Sequence, residues 1–455
     1  MIQSISVIGL GKLGAPMAAC FASKGYRVIG VDMDPTKVDA INRGAAPVFE
    51  PQLEELLQAH KDRLTATQDI MAAISDSDVT FLVVATPSEP GGGFSLRYVL
   101  PACEQIGRAL RKKPGFHLVV LTSTVLPGST GGPVLSTLER ASGKHAGVDF
   151  GVCYNPEFIA LGSVIRDFLN PDFLLVGESD CRSGGILESI YGRVCENHPP
   201  AAHLNFVNAE ITKLSVNTFV TTKISFANML ARICEKLPEA SVDKVTSALG
   251  LDSRIGLKYL RGAVSYGGPC FPRDNLALSA LARQLGAPAD IAEVTDQFNR
   301  AQIKWLADLV ENNSPEGAVA GILGLTYKPN TDVVEEAVGL LLAQELAARG
   351  ESVIVYDPAG REKACTTLWG KVQFATSTRE CIEKADTVVL ATPWPEFCNI
   401  PTERWARSQS PRTVIDCWRV LENLRASNGI RYFSLGNGET FLKQSSPMSQ
   451  VLQRR

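Results

Sequence analysis

Residues 4–32 read SISVIGLGKLGAPMAACFASKGYRVIGVD. Ser4–Ile8 is a short apolar strand pattern. Gly9, Gly11 and Gly14 then form GxGxxG, residues 15–24 are alanine-rich and helix-compatible, and Val28–Asp32 is a second strand pattern. In that order each glycine has its own physical task. Gly9 permits a tight turn, Gly11 lets a pyrophosphate approach the backbone, and Gly14 lets the helix pack on the strand. The helix start, behind Lys12 and Leu13, presents free N–H groups to phosphate. Asp32, 18 residues beyond Gly14, is placed to accept hydrogen bonds from the adenosine ribose hydroxyls. Its carboxylate repels a 2′-phosphate, so the segment predicts a βαβ unit that takes NAD rather than NADP.

Moving outward, buried strand patterns recur at Val79–Ala85, Leu118–Thr122 and Phe150–Tyr154, with helical stretches between them. That alternation predicts a parallel, doubly wound α/β sheet. A second unit follows near the C-terminus: strand Ala318–Leu325, a helix over 333–349 and strand Ser352–Asp357. VTFLVVATP at 79–87 is echoed by TVVLATP at 387–393, and Asp32 by Asp357. Two Rossmann-like domains are expected. Gly324 is followed by Leu-Thr-Tyr-Lys and lacks the glycine fingerprint, so the second domain would bind a nucleotide differently. Between them Asn208–Leu237 reads as one long helix. Its apolar residues Ile211, Leu214, Phe219, Ile224, Phe226, Met229, Leu230 and Ile233 spread around it, predicting burial on several sides and packing against a partner subunit. The expected division is 1–204, 205–305, 306–445 and a flexible tail at 446–455, polar from Lys443 onward.

Composition narrows the function. The 455 residues carry 45 Lys and Arg against 48 Asp and Glu, a formal charge of −3, and 45% are apolar. Nothing in that balance suggests a nucleic-acid binder or bulk disorder, and no apolar run reaches the length of a membrane helix. The first residues run directly into a strand pattern with no signal-peptide core. Eleven cysteines lack a CxxC pair and five histidines lack an HExxH pair. A reducing cytoplasm and an enzyme without a metal are expected.

Four places carry reactive side chains. Cys270 lies in YGGPCFPRD, residues 266–274. A cysteine on a rigid loop, with Arg273 and Asp274 beside it, is a candidate nucleophile. Lys213 and Asn217 are spaced i, i+4 and interrupt an apolar helix, a pattern suited to holding an oxyanion. Asn155-Pro156-Glu157-Phe158 follows a strand, where Glu157 is a candidate general base for water. Thr86-Pro87 and Ser123-Thr124 also end strands and are expected to line the cofactor. Each reactive group has a plain alternative: Cys270 as a buried thiol, Lys213 on a solvated edge, Glu157 in an ordinary turn.

Together these segments resemble the nucleotide-sugar dehydrogenases of the UDP-glucose 6-dehydrogenase type over residues 3–440. The resemblance rests on VIGLGKLG with Asp32, VVATP, TSTV with Pro127-Gly128, NPEF, Glu210–Lys213–Asn217, SYGGPCFPRD and GLTYKPNTD at 324–332. It implies oxidation of a nucleotide-linked hexose at C6 to the uronic acid, using two NAD. It further implies a thiohemiacetal and then a thioester on Cys270, Glu157 activating the hydrolytic water, and Lys213 and Asn217 stabilising charge on the C6 oxygen. Asp274 would assist proton transfer and Thr124 would support an ordered water. Phe158, Arg254, Tyr259, Arg261, Gly267, Lys328 and Arg419 match substrate-binding positions. NPEF and CFPRD resemble the glucose branch rather than the UDP-N-acetylmannosamine branch. Departures are Leu161 for a Glu, Phe173 for an Arg, Arg273 for a Lys, Glu335 for an Arg and Cys417-Trp418 for Gly-Arg. UDP-glucose is the expected substrate and a homodimer through the central helix the expected assembly. dTDP-glucose, another nucleotide sugar, or two-electron hydroxyacid chemistry are the alternatives.

Overall fold

The computed structural model describes residues 2–407 and 410–438; the tail expected from Lys443 lies outside them. The chain divides into two compact units, Met1–Val216 with Ala280–Leu285, and Asn217–Ser279 with Gly286–Arg455. The helical stretch 205–305 is shared between them.

The first unit is built on an eight-stranded sheet: β1 Ser4–Ile8, β2 Arg27–Val31, β3 Leu64–Thr67, β4 Val79–Leu82, β5 Leu118–Leu121, β6 Gly151–Tyr154, β7 Leu174–Glu178 and β8 Ala201–Leu204. Its order is β3-β2-β1-β4-β5-β6-β7-β8. Every residue of β1, β4, β5 and β6 is buried, as in a sheet covered on both faces; β5 is accordingly a continuous apolar run, while Ser4 and Ser6 of β1 are hydrogen-bonded to Asp78 and Thr80. Helix α1, Gly14–Ser23, is buried from Gly14 through Ala22, and its Phe21 ring meets Tyr26, Phe81 and Phe168. The chain reverses its direction of travel across the sheet between β1 and β4, and the carboxyl ends of strands at such a reversal form the ligand crevice.

One expectation is corrected. The sheet is not parallel throughout, because β7 runs antiparallel to β6. Residues 155–173 hold only the short helix α2, Val164–Leu169, and turn back at the carboxyl end of β6. That hairpin-like return puts Asn155 and Glu157 at the strand end. Helix α3, Cys181–Val194, follows β7.

Helix α4, Phe206–Cys234, is 29 residues long and passes from the first unit to the second between Val216 and Asn217. Leu214, Ala227 and Ala231 are buried, but Phe219 is 68% exposed, Phe226 46%, Met229 39% and Ile233 47%. The expected burial on several sides is found, with Lys213, Asn217, Thr221, Asn228 and Cys234 also buried, and it leaves one exposed apolar stripe that no element of the described chain covers.

In the second unit, α5 Val242–Gly250, α6 Phe271–Leu285 and α7 Asp290–Asn312 precede a six-stranded parallel sheet. Its strands are β9 Val319–Leu323, β10 Ser352–Tyr356, β11 Gln373–Phe374, β12 Thr387–Leu390, β13 Arg412–Asp416 and β14 Ile430–Ser434. Their order is β11-β10-β9-β12-β13-β14, all in parallel register. This repeats the order of β1 to β6, so the sequence echo is a repeated topology.

Candidate active site

At the nucleotide end of the first unit, the three glycines separate physically. Gly9 has φ +100°, its N–H donates to the Val31 carbonyl at 2.7 Å, and a Cβ there would stand 2.4 Å from the Val83 carbonyl oxygen. A Cβ on Gly14 would stand 1.8 Å from the Gly9 oxygen. A Cβ on Gly11 would meet nothing within 4 Å. The chain's own packing thus demands Gly9 and Gly14. Gly11 instead keeps open the space before α1, as a pyrophosphate requires. Lys12 and Leu13 complete the turn, with Leu13 at the N-cap.

Asp32 sits just past β2. Its Oδ2 accepts from the Leu10 N–H at 2.7 Å and from Lys37 at 3.3 Å, and its Oδ1 accepts from the Asp34 N–H at 2.9 Å. It therefore also ties the glycine turn to the strand end, a task the sequence did not disclose. The Thr86 hydroxyl, next to Pro87, donates to the Thr124 carbonyl at 2.7 Å. This joins the loops beyond β4 and β5. The open Gly11 face, the start of α1 and the Asp32 carboxylate fit NAD.

At the chemical end, Glu157 lies beyond β6 with its carboxyl group enclosed. Its Oε1 accepts from the Tyr191 hydroxyl at 2.7 Å. Burial pushes the carboxyl up to about 7, against the opposing effects of Tyr191 and Lys213. Lys213 is buried rather than on a solvated edge; its Nζ donates to the Glu157 backbone carbonyl at 2.6 Å and stands 4.5 Å from the Phe158 ring centre. Phe158 packs on Phe173 at 4.9 Å, so the departure at 173 supplies a ring contact.

Two acids brace the loops. Glu210, fully buried one turn before Lys213, accepts from the N–H groups of Gly128 at 2.6 Å and Thr130 at 2.7 Å. Glu50 accepts from those of Gly162 and Val164, each at 2.8 Å, pinning the segment after Phe158. Sequence reading missed Tyr191 and Glu50. Nothing in the pattern around either marks it; Glu210 stood in a recognised motif without a stated role.

In the second unit Cys270 immediately precedes α6, and its carbonyl accepts the Asp274 N–H at 2.9 Å. The side chain is exposed, whereas seven of the eleven cysteines are buried; the buried-thiol alternative does not hold. Its loop is braced. The Tyr266 N–H and carbonyl both bond the Asn299 side chain, at 2.8 and 2.9 Å. The Gly268 N–H donates to the Glu335 carbonyl at 2.9 Å, so residue 335 acts here through its backbone. A Cβ on Gly267 would stand 2.1 Å from the Glu336 oxygen. Asp274 is buried, accepts from the Asn217 amide at 2.6 Å and faces Arg273 at 3.6 Å.

Tyr259 and Arg261 line a cavity of about 320 Å³ with Asp243, Thr246, Leu257 and Leu260. Arg261 also donates to the Trp418 carbonyl at 2.8 Å. Arg254 is instead paired with Asp252 at 2.6 Å on the surface, and Lys328 stands 5.8 Å from the Tyr327 ring centre. Arg419 is corrected. Its guanidinium is bound twice to Asp243, at 2.6 and 2.9 Å, and to the carbonyls of Leu435 and Gly262. With its side chain 3% exposed, it braces the unit rather than offering donors to a nucleotide. Among the described residues no group of three metal-ligating side chains occurs.

Three successive segments match the UDP-glucose/GDP-mannose dehydrogenase family: its NAD binding domain at residues 3–195, its central domain at 207–301 and its UDP binding domain at 321–423. A UDP-glucose 6-dehydrogenase of Haloferax volcanii is 36% identical over 95% of this chain and 100% of its own length. A GDP-mannose 6-dehydrogenase of Pseudomonas aeruginosa is 37% identical over 78% of this chain and 80% of its own. The solved structure of a UDP-glucose dehydrogenase from Pyrobaculum islandicum superposes with a TM-score of 0.87 at 34% identity, over 96% of this chain and 98% of that one.

Proposed function

Because the chain belongs to the UDP-glucose/GDP-mannose dehydrogenase family, and is thereby an NAD-dependent nucleotide-sugar 6-dehydrogenase, we propose that it oxidises UDP-glucose to the uronic acid. The choice of sugar is supported by likeness to a UDP-glucose enzyme along that relative's full length, where likeness to the GDP-mannose enzyme stops short. The four-electron course is carried by one observation: an exposed thiol on a braced loop at a helix start. The positive end of that helix's dipole favours negative charge on sulfur.

Gly9, Gly11, Lys12, Leu13, Gly14, Asp32, Thr86 and Pro87 would hold NAD, which when bound accepts each hydride. The first oxidation removes a hydride from C6 and a proton from its hydroxyl, leaving an aldehyde. Lys213 and Asn217 bear the charge on the C6 oxygen. The Cys270 sulfur adds to the aldehyde carbon, and the oxygen takes up a proton, assisted by Asp274. Loss of a second hydride and of that proton leaves a thioester. Glu157 then takes a proton from a water that Thr124 helps order; the water oxygen bonds to carbon and the C–S bond breaks, returning the thiolate. Phe158, Tyr259, Arg261, Gly267, Lys328 and the surface Arg254 are assigned to the substrate. The exposed face of Phe219, Phe226, Met229 and Ile233 supports a homodimer through α4. None of the eleven cysteines forms a disulfide, which supports a cytoplasmic location. Among the described residues no helix is long and apolar enough to cross a membrane.

The test is a panel of UDP-glucose, dTDP-glucose, GDP-mannose and UDP-N-acetylhexosamines, counting NADH per sugar. Two NADH from UDP-glucose with the highest kcat/KM is expected. One NADH, or preference for another sugar, overturns the corresponding part.

A further inference from the structure

We propose that Asn155 and Tyr191 form a hydrogen-bonded relay that positions the Glu157 carboxyl and sets its affinity for a proton. The proposal rests on reading Glu157 as the base that activates water.

Tyr191 is 1% exposed, on α3 in the core of the first unit. Its hydroxyl has one proton but two acceptors, Asn155 Oδ1 at 2.6 Å and Glu157 Oε1 at 2.7 Å. The Asn155 amide is committed: its Nδ2 donates to the Leu175 carbonyl at 3.0 Å, so its oxygen faces the hydroxyl and can only accept. When Glu157 is neutral, the chain closes. The carboxylic acid donates to the tyrosine oxygen, the tyrosine donates to Asn155, and every group is paired. When Glu157 gives up its proton, the tyrosine proton must swing to the carboxylate, and the buried Asn155 oxygen loses its donor. A buried acceptor without a donor is costly, so Asn155 competes with the carboxylate for the tyrosine proton and weakens the stabilisation that Tyr191 gives the charged form.

The other groups facing Glu157 act as follows. Lys213 from α4 is a cation and favours the carboxylate. Cys20 from α1 and Cys195 beyond α3 are both pushed up to about 12 by burial and stay neutral, as does Tyr191. Burial acts in the same direction as the competition from Asn155 and outweighs Tyr191 and Lys213. The outcome, a carboxyl lifted to about 7, suits a group that must take a proton from water and return it near neutral pH.

The experiment measures two quantities in wild type, Tyr191→Phe and Asn155→Leu: the pH dependence of kcat and the infrared carbonyl stretch of the protonated carboxylic acid, identified by its loss in Glu157→Gln. Removing the hydroxyl deprives the carboxylate of its charge-assisted partner. In Tyr191→Phe both midpoints therefore move up by about one pH unit. Removing Asn155 frees the tyrosine proton for Glu157, and both midpoints move down. Shifts of the infrared midpoint in opposite directions support the relay; no shift, or shifts of the same sign, overturns it. Should Asn155→Leu fail to fold, the Tyr191→Phe infrared shift decides alone. If Glu157→Gln turns over like wild type, the base assignment falls while the infrared midpoints still judge the relay.

Discussion

Cys270 and Asp32 show how much a single side chain can be asked to do. The sulfur is exposed where most of the other thiols are buried, and the proposal gives it the half-oxidised carbon. Cys270→Ala is expected to abolish steady NADH formation from UDP-glucose while the protein keeps its Tm; turnover near wild type in a steady-state assay would remove the thiol from the reaction. Asp32 has two tasks that substitutions can separate. Asp32→Asn keeps an acceptor for the Leu10 N–H but loses the charge, so discrimination against NADP should relax with little change in Tm. Asp32→Ala loses both, and should raise the KM for NAD roughly tenfold and cost about 1–2 kcal/mol of stability. Measuring KM for both cofactors beside thermal unfolding checks the pair.

Loops and helices carry the next set of consequences. The loop before α6 leaves no room at Gly267, where a Cβ would stand 2.1 Å from backbone. Gly267→Ala must shift that loop, costing about 1–3 kcal/mol. It should lower kcat more than it raises the KM for NAD, as steady-state kinetics will show. Glu210 holds two loop N–H groups through one carboxylate. Along α4, Phe219, Phe226 and Ile233 recur at seven-residue spacing on an open face. Phe226→Asp with Ile233→Asp should give a monomer by light scattering. A particle of unchanged mass would place the subunit contact elsewhere or nowhere.

Two groups of the first unit contribute to the pH dependence of the whole protein's stability with opposite signs. His117 bonds Thr80 and Ser77 in the core and is pushed down to about 3, chiefly by burial. Its neutral form stabilises the fold above its ordinary value of 6.5, and that contribution is lost as pH falls toward about 3. Glu157 has the opposite sign. It is raised from 4.5 to about 7, so its contribution is full below 4.5 and is lost as pH rises through 7, about 3 kcal/mol in all. Between 4.5 and 6.5 the two slopes oppose each other. Wild type should therefore show a nearly flat urea-denaturation stability in that window from this pair, and Glu157→Gln a stability that climbs with pH. A flat profile in Glu157→Gln would mean that His117 is not neutral in the fold.

The local pattern was enough for the repeated α/β topology and the NAD fingerprint. Strand and turn are encoded by neighbours in the chain: apolar stretches at β4 and β5, glycines where a Cβ cannot fit, and an Asp at a strand end. It was not enough for the antiparallel β7, the open face of α4, the internal bonds of Arg419, or the tyrosine beside Glu157. Tyr191 lies 34 residues from Glu157 and Arg419 lies 176 from Asp243, so no local spacing announces either contact. Which of several buried polar groups share one proton, and which cation is already occupied, is settled when distant segments pack and each polar atom must find a partner.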